Sequence, residues 1–340
     1  MEKDTVAMYF VNAAVARLSG SAKVRVLQAA GIQAELLALA TARVPAESFS
    51  RLWLAVAREI DDEFFGLDSR RMKVGSFALL CQAVLGSETL GHAVKRCLRG
   101  FALFLEDVTG ELVVEGDTAV IQVNNRIANG PARRFADETF LVMVHGLMCW
   151  LTGQRIALQE VAFAHTRPAH AGEYTVMYSQ NLEFDADCTA IHFEARLLDA
   201  PVVQNGQTIK PFLRNAPQSV FLKYKNQDSW TARLRRQLRS AVGTEWPVLD
   251  DMARSFHVAP TTLRRRLESE GTSYQGIKDQ LRRDAAIHHL CNSTLGVAEI
   301  SGLLGFQEPS AFHRAFKKWT GAQPGEYRMR QRGAKASRRA

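Results

Sequence analysis

Two short stretches near the C-terminus place arginine, threonine, serine and histidine where a helix would project them on one side. In the first, Thr261, Arg264 and Arg265 stand at i, i+3 and i+4, while Leu263 and Leu267 lie one turn apart on the opposite side. In the second, Ser310, His313, Arg314 and Lys317 alternate in the same way with Phe312, Ala315, Phe316 and Trp319. Arginine on such a face can take guanine O6 and N7 in a bidentate contact; threonine or serine can reach a base edge or a phosphate. Side chains of this kind and spacing imply double-stranded DNA as the partner.

The two stretches are copies of one pattern. Met252-Ala253 running to Val258 repeats as Ile300-Ser301 running to Phe306, an offset of 48 residues; Leu263 to Leu267 repeats as Phe312 to Phe316, an offset of 49. Each copy reads as a helix-turn-helix whose second helix carries the basic face. Between them, Ser273 is placed to cap a long helix running to about Leu290. Tyr274, Ile277, Leu281 and Ala285 should face the two lobes, with Lys278, Arg282 and Arg283 toward solvent or backbone. Such a rod would hold the two recognition helices in successive major grooves, about 34 Å apart.

Charge agrees with this placement. The formal net charge is +8, and residues 229–340 carry 20 Lys+Arg against 10 Asp+Glu, so the remainder is slightly acidic. A basic surplus confined to one segment favours a polyanionic partner for that segment, because phosphate neutralisation releases counterions.

Enzyme chemistry finds no foothold. There is no G-x-S-x-G, no Walker loop and no G-x-G-x-x-G after a strand. His165 and His170 are five apart and Cys188 and His192 four apart, yet no compact ligand set accompanies either pair, so neither a metal nor a cofactor is expected. The five cysteines (Cys81, Cys97, Cys149, Cys188, Cys291) are scattered and lack C-x-x-C spacing, which fits a reduced cytoplasm. The polar, acidic start Met1-Glu2-Lys3-Asp4 is unlike a signal peptide, and no apolar run reaches membrane-spanning length, so no membrane is expected as a partner.

The elements that would present these faces divide by period. Val6 to about Gly100 reads as mainly helical, with breaks at Gly31, Val44-Pro45, Phe65-Gly66 and Gly86-Ser87. Phe101–Leu105, Glu111–Val114 and Ala119–Val123 read as strands of an antiparallel meander. A helix over 132–151, strands at 157–164 and 189–193, and a short helix at 171–178 complete the expectation. Residues 1–200 are thus expected as one α+β domain, 201–228 as a linker with the boundary near Asn226, 229–330 as an all-α DNA-binding domain with two helix-turn-helix motifs, and 331–340 as a disordered basic tail.

The run Gly305-Phe306-Gln307-Glu308-Pro309-Ser310-Ala311-Phe312-His313-Arg314-Ala315-Phe316-Lys317-Lys318-Trp319-Thr320-Gly321, with Pro324-Gly325-Glu326-Tyr327-Arg328, closely resembles the signature of AraC/XylS-type transcriptional regulators. The resemblance covers roughly residues 230–330 and is highly specific. It implies a bacterial, sequence-specific regulator, expected to be an activator, with base readout at Thr261, Arg264, Arg265, Ser310, His313 and Arg314. Two departures stand out. Ser301 replaces the usual alanine, and a buried serine can hydrogen-bond within its helix; Arg264-Arg265-Arg266 is more basic than in many members, which tilts the first motif toward phosphate.

The N-terminal part resembles the long sensor domain of the ornithine-utilisation-regulator and VirS-like branch, through Phe64-Phe65-Gly66-Leu67, Gly75-Ser76-Phe77, Glu88 to Ala93, and the segment from Leu182-Glu183-Phe184 to Leu197-Leu198. The arabinose-binding label of such domains does not make arabinose the ligand. The resemblance implies a small-molecule effector, a homodimer and RNA polymerase as further partner; the alternative is a domain that only dimerises or binds a protein. Candidate ligand contacts near the meander and its following helix are Phe101, Phe104, Arg134, His145 and Trp150, which combine apolar walls with a few polar groups.

Overall fold

A computed structural model describes residues 5–39, 41–221, 230–240, 246–269 and 272–329. In chain order, β1 (Thr5–Ala7) leads into α1 (Met8–Val15) and α2 (Gly20–Ala30), and β2 (Arg43–Pro45) into α3 (Ala46–Ile60). Then come α4 (Ser76–Val84), α5 (Leu90–Phe104), β3 (Val108–Glu115), β4 (Thr118–Asn125), α6 (Pro131–Leu151), β5 (Glu160–Phe163), α7 (Gly172–Met177), β6 (Leu182–Phe184), β7 (Thr189–Glu194), α8 (Ile209–Arg214) and α9 (Gln218–Phe221). The C-terminal helices are α10 (Trp230–Ser240), α11 (Leu249–Ser255), α12 (Pro260–Ser269), α13 (Tyr274–Asn292), α14 (Val297–Leu303) and α15 (Pro309–Thr320). The chain is a mixed α+β protein. None of its described helices is long and apolar enough to cross a membrane.

Backbone contacts divide the chain into two units. One joins Met1–Val11 and Gly31–Phe49 to Asn226–Ala340; the other holds Asn12–Ala30 and Ser50–Lys225. The expectation of a single domain over 1–200 therefore meets a different partition, and its cause is a short ribbon that local pattern does not reveal. β1 and β2 pair antiparallel, Val6 opposite Val44, and β2 packs against α13. Buried Thr5 donates its hydroxyl to Asp284 on α13 at 2.7 Å; Arg43 donates to the Thr5 hydroxyl at 2.8 Å and to the Thr5 carbonyl at 3.1 Å. The buried Tyr327 hydroxyl donates to the Arg43 carbonyl.

In the other unit, a five-stranded sheet runs β3-β4-β7-β5-β6, antiparallel except for the parallel β5–β6 pair. Ala119, Ile121 and Val123 alternate with Thr118, Val120 and Gln122, so a period of two places the first set on the face with Ile191, Phe193, Val161 and Phe163. α5 and α6 cover the sheet, and α6 is buried along Phe135–Leu151, its polar Asp137, Glu138 and His145 included.

Two expectations in this unit are corrected. Phe101–Phe104 end α5 and form no strand: Ala93, Cys97 and Phe101 continue its buried stripe, so helical packing overrides β-propensity over the run and leaves a β3–β4 hairpin for the meander. The stretch 201–221, expected within the linker, belongs to this unit instead: α8 and α9 form there and α9 packs on α6. A side chain at Gly146 would stand 2.4 Å from the Val220 carbonyl oxygen, so only glycine lets the two helices approach this closely. The tail expected at 331–340 lies outside the described residues.

Candidate nucleic-acid interface

The two C-terminal helix pairs share one turn. α11 ends with Phe256, and His257 takes a left-handed φ of 54°; its N–H bonds to the Arg254 carbonyl at 3.0 Å and the Val258 N–H to Ala253 at 3.1 Å. α14 ends with Leu304, and Gly305 takes φ 72°; its N–H bonds to Gly302 at 2.9 Å and the Phe306 N–H to Ser301 at 3.1 Å. Both are Schellman closures, which satisfy the last carbonyls of one helix and turn the chain into the next. The sequence repeat is thus a repeat of hydrogen bonds.

Beneath each turn lies a core. Leu234 and Leu238 of α10 join Met252, Ala253, Leu263, Leu267, Ile277 and Leu281 under the first pair. Under the second, Phe306 and Phe312 sit 5.4 Å apart, Phe312 and Phe316 5.6 Å, and Phe316 meets Tyr327 edge-on. Burial of these stripes leaves the opposite faces in solvent: Thr261, Arg264, Arg265, Ser310, Arg314 and Lys317 are all exposed. His313 is half-buried, with Nδ1 3.1 Å from the Gln323 side-chain oxygen. Arg266 folds back over Trp230, 4.2 Å from the ring centroid, so of the three consecutive arginines only two face outward.

α13 begins where expected, with the Ser273 hydroxyl accepting the Gly276 N–H at 3.0 Å. Arg282 has a role that sequence reasoning missed. Its Nε donates to the Leu304 carbonyl at 3.0 Å and its guanidinium lies 5.1 Å from both Trp246 and Phe306, so it pins the rod to the turn of the second pair. Burial lowers its pKa. An arginine on a basic helix face carries no local sign of such a contact, because its carbonyl partner is 22 residues away. Ser301 is buried, and its Oγ does not make the bond within its helix that a serine there can make.

The five candidate ligand contacts occupy several environments. Phe101 is buried 5.0 Å from Phe140, and Phe104 is half-buried at the end of α5. His145 is fully buried with Nε2 2.9 Å from the Ile156 carbonyl, and Trp150 stacks on Phe212 at 4.2 Å. Arg134 lies in the first turn of α6, its Nε shielded from solvent and without a hydrogen bond. Nearby, Tyr174 donates to buried Glu138, and His170 lies 3.6 Å from the same carboxylate. His165 has a lowered pKa, through burial first and then through the charge of Arg134. Among the described residues, no three His, Cys, Asp or Glu side chains are grouped as a metal would need.

Residues 20–202 match the family model described as the arabinose-binding domain of AraC transcription regulators, N-terminal, and residues 252–330 match a helix-turn-helix domain. The chain belongs to the AraC family of transcription regulators. Among its AraC-family relatives, the ornithine utilization regulator of Pseudomonas aeruginosa is 28% identical over 310 residues, 91% of each chain. The regulator VqsM of the same organism is 24% identical over 265 residues, covering 75% of this chain and 80% of the relative. Among solved structures, the transcriptional regulator CdpR of Pseudomonas aeruginosa aligns over 94% of this chain and 96% of its own, at 19% identity and a TM-score of 0.31. As an AraC-family member with a helix-turn-helix domain, the chain is a DNA-binding transcription regulator, and the exposed faces of α12 and α15 are where its basic side chains stand clear of the core.

Proposed function

We propose that this regulator reads DNA with two helix-turn-helix motifs, α11/α12 and α14/α15, and that a small molecule held by residues 50–225 controls it. In the first motif Thr261, Arg264 and Arg265 take base edges and phosphates; in the second Ser310, His313, Arg314 and Lys317 do so. The observation that carries this reading is the equivalence of the two turns. His257 and Gly305 close them with the same pair of hydrogen bonds, and Arg265 and Arg314 are exposed at matching places on the following helices. A solvated basic bundle has no reason to duplicate both.

The protein acts as a homodimer and as an activator that engages RNA polymerase, with the effector shifting it between two states. The named role of the ornithine relative puts amino acids and their catabolites first in an effector screen. Footprinting on the gene's own upstream region tests the DNA half: protection of a discrete site supports it, and uniform or absent protection by folded protein refutes it. Affinity should fall steeply with salt, by about one log unit per log salt for each phosphate neutralised. A thermal-shift panel tests the sensing half, since a ligand that prefers the folded state raises the melting temperature by mass action; no shift across the panel would favour a domain that only dimerises or binds a protein.

A further inference from the structure

The unit formed by residues 12–30 and 50–225 holds a cavity of about 170 Å³ between α3, the first turn of α4 with the segment before it, α6 and the α8–α9 pair. Trp53, Phe77, Met143 and Pro217 give it apolar walls. Leu54, Arg58 and Val74 are the exposed members of its lining and so mark its opening. None of the candidate ligand residues named from sequence lines it; four separate chain segments assemble it, and no local pattern announces that.

Two charged side chains line this space, and they differ in availability. Glu63 has both oxygens engaged, accepting the Gly75 N–H at 2.9 Å and the Phe77 N–H at 2.7 Å. Arg58, at the opening, is exposed and forms no ion pair among the described residues. An apolar cavity that stays empty weakens the core around it, and one of similar volume accepts a benzene-sized group, about six carbon atoms.

We propose that this cavity is the effector site and takes an amphipathic monocarboxylate, its tail of about six carbons buried against Trp53, Phe77 and Met143 and its carboxylate on Arg58. This deepens the ligand-responsive reading and rests on it. The roof of the cavity, Leu213 to Val220, belongs to the last helices before the unit ends at Lys225. A bound tail adds contacts to that roof and thereby fixes α8 and α9 at the point where the chain leaves for the DNA-binding helices.

The test uses the full chain, with calorimetric titration and thermal melting in hexanoate, hexan-1-ol, hexylamine and L-ornithine. Hexanoate is expected to bind saturably and raise the melting temperature, and hexan-1-ol to bind about tenfold more weakly, the loss of one charge-assisted contact at a partly wet site. Arg58→Gln should erase the preference for acid over alcohol while leaving alcohol affinity unchanged. Ala78→Phe, which fills the space, should abolish both; if that variant does not fold, the Arg58→Gln comparison decides alone. Absence of saturable hexanoate binding would overturn the assignment, as would hexylamine or ornithine binding as tightly, or an acid preference that survives Arg58→Gln. Footprinting with and without hexanoate separates the two readings: an operator protected by a protein that shows no saturable hexanoate binding sinks the site alone, and saturable hexanoate binding by a protein that protects no DNA in either state sinks the regulator reading.

Discussion

Arg265 and Arg314 occupy the same place on α12 and α15, two residues beyond the first buried residue of each stripe, Leu263 and Phe312. Their exposure leaves the guanidinium free to choose between phosphate and base. Arg314→Ala is expected to weaken binding to the operator by about ten- to a hundredfold and to random duplex far less, the signature of one lost bidentate base contact. Competition titrations with the two duplexes measure the difference, and equal losses would make Arg314 a phosphate contact. A second residue-scale consequence lies in the other unit. Buried Asp137 accepts Asn125 at 2.7 Å and Thr189 at 2.9 Å, yet its pKa is pushed up from 3.8 to about 6, burial outweighing those bonds. The folded state therefore holds this proton more tightly than the unfolded chain does. Its contribution to stability is whole below pH 3.8 and is lost as pH rises through about 6, and burial raises Asp62 and Glu63 in the same sense. Asp137→Asn should remove about 2–3 kcal/mol of that decline, read from urea unfolding at pH 4.5 and pH 7.

Elements differ in how much of themselves the chain spells out locally. The helices α11 to α15 could be read because Met252, Leu263, Ile300, Phe312 and their neighbours keep helical spacing and because Ser273 marks a helix start. The turns between them were legible only as a repeat; that both are Schellman closures needed the structure. Phe101 to Leu105 misled because an aromatic, apolar run fits a strand or the last buried turn of a helix equally well, and only the packing of α5 on β3 decides. β1 and β2, three residues each, are too short to show a period at all. The shared turn also yields a pair of opposite expectations. His257 and Gly305 both need positive φ, which costs a residue with a Cβ about 1 kcal/mol and glycine nothing. His257→Gly should therefore stabilise the first helix pair by about 1 kcal/mol and Gly305→Ala destabilise the second by a similar amount. Denaturant unfolding of the two variants checks both; a shared sign would show that something other than turn geometry governs these positions.

For the molecule as a whole, the decisive departure from sequence is that the DNA-binding helices are completed from the other end of the chain. Charge and the repeat located the basic helices within 229–340, but neither could show that Thr5 and Arg43 lie against α13, since pairings across 279 residues leave no local pattern. α13 carries both helix pairs, so whatever steadies it sets their spacing. Asp284 is buried on that helix, accepting from Thr5 and from Arg283 at 3.2 Å. Arg43, itself buried, holds Thr5 in place through its hydroxyl and its carbonyl. Replacing Arg43 with methionine keeps an apolar stem of similar reach but removes both donors, leaving Thr5 to turn away from Asp284 and the carboxylate short of a buried partner. The expected loss is about 1–3 kcal/mol, the usual cost of breaking charge-assisted buried hydrogen bonds. Because stability is local, the loss should fall on one unit only. Hydrogen exchange of Arg43→Met is expected to show faster exchange along α13 and the adjacent α14 and α15, with α6 and the five-stranded sheet unchanged. Operator affinity should drop with it although every side chain proposed to face DNA is intact; unchanged exchange in α13 would show that the ribbon is an ornament on the binding unit and not a support for it.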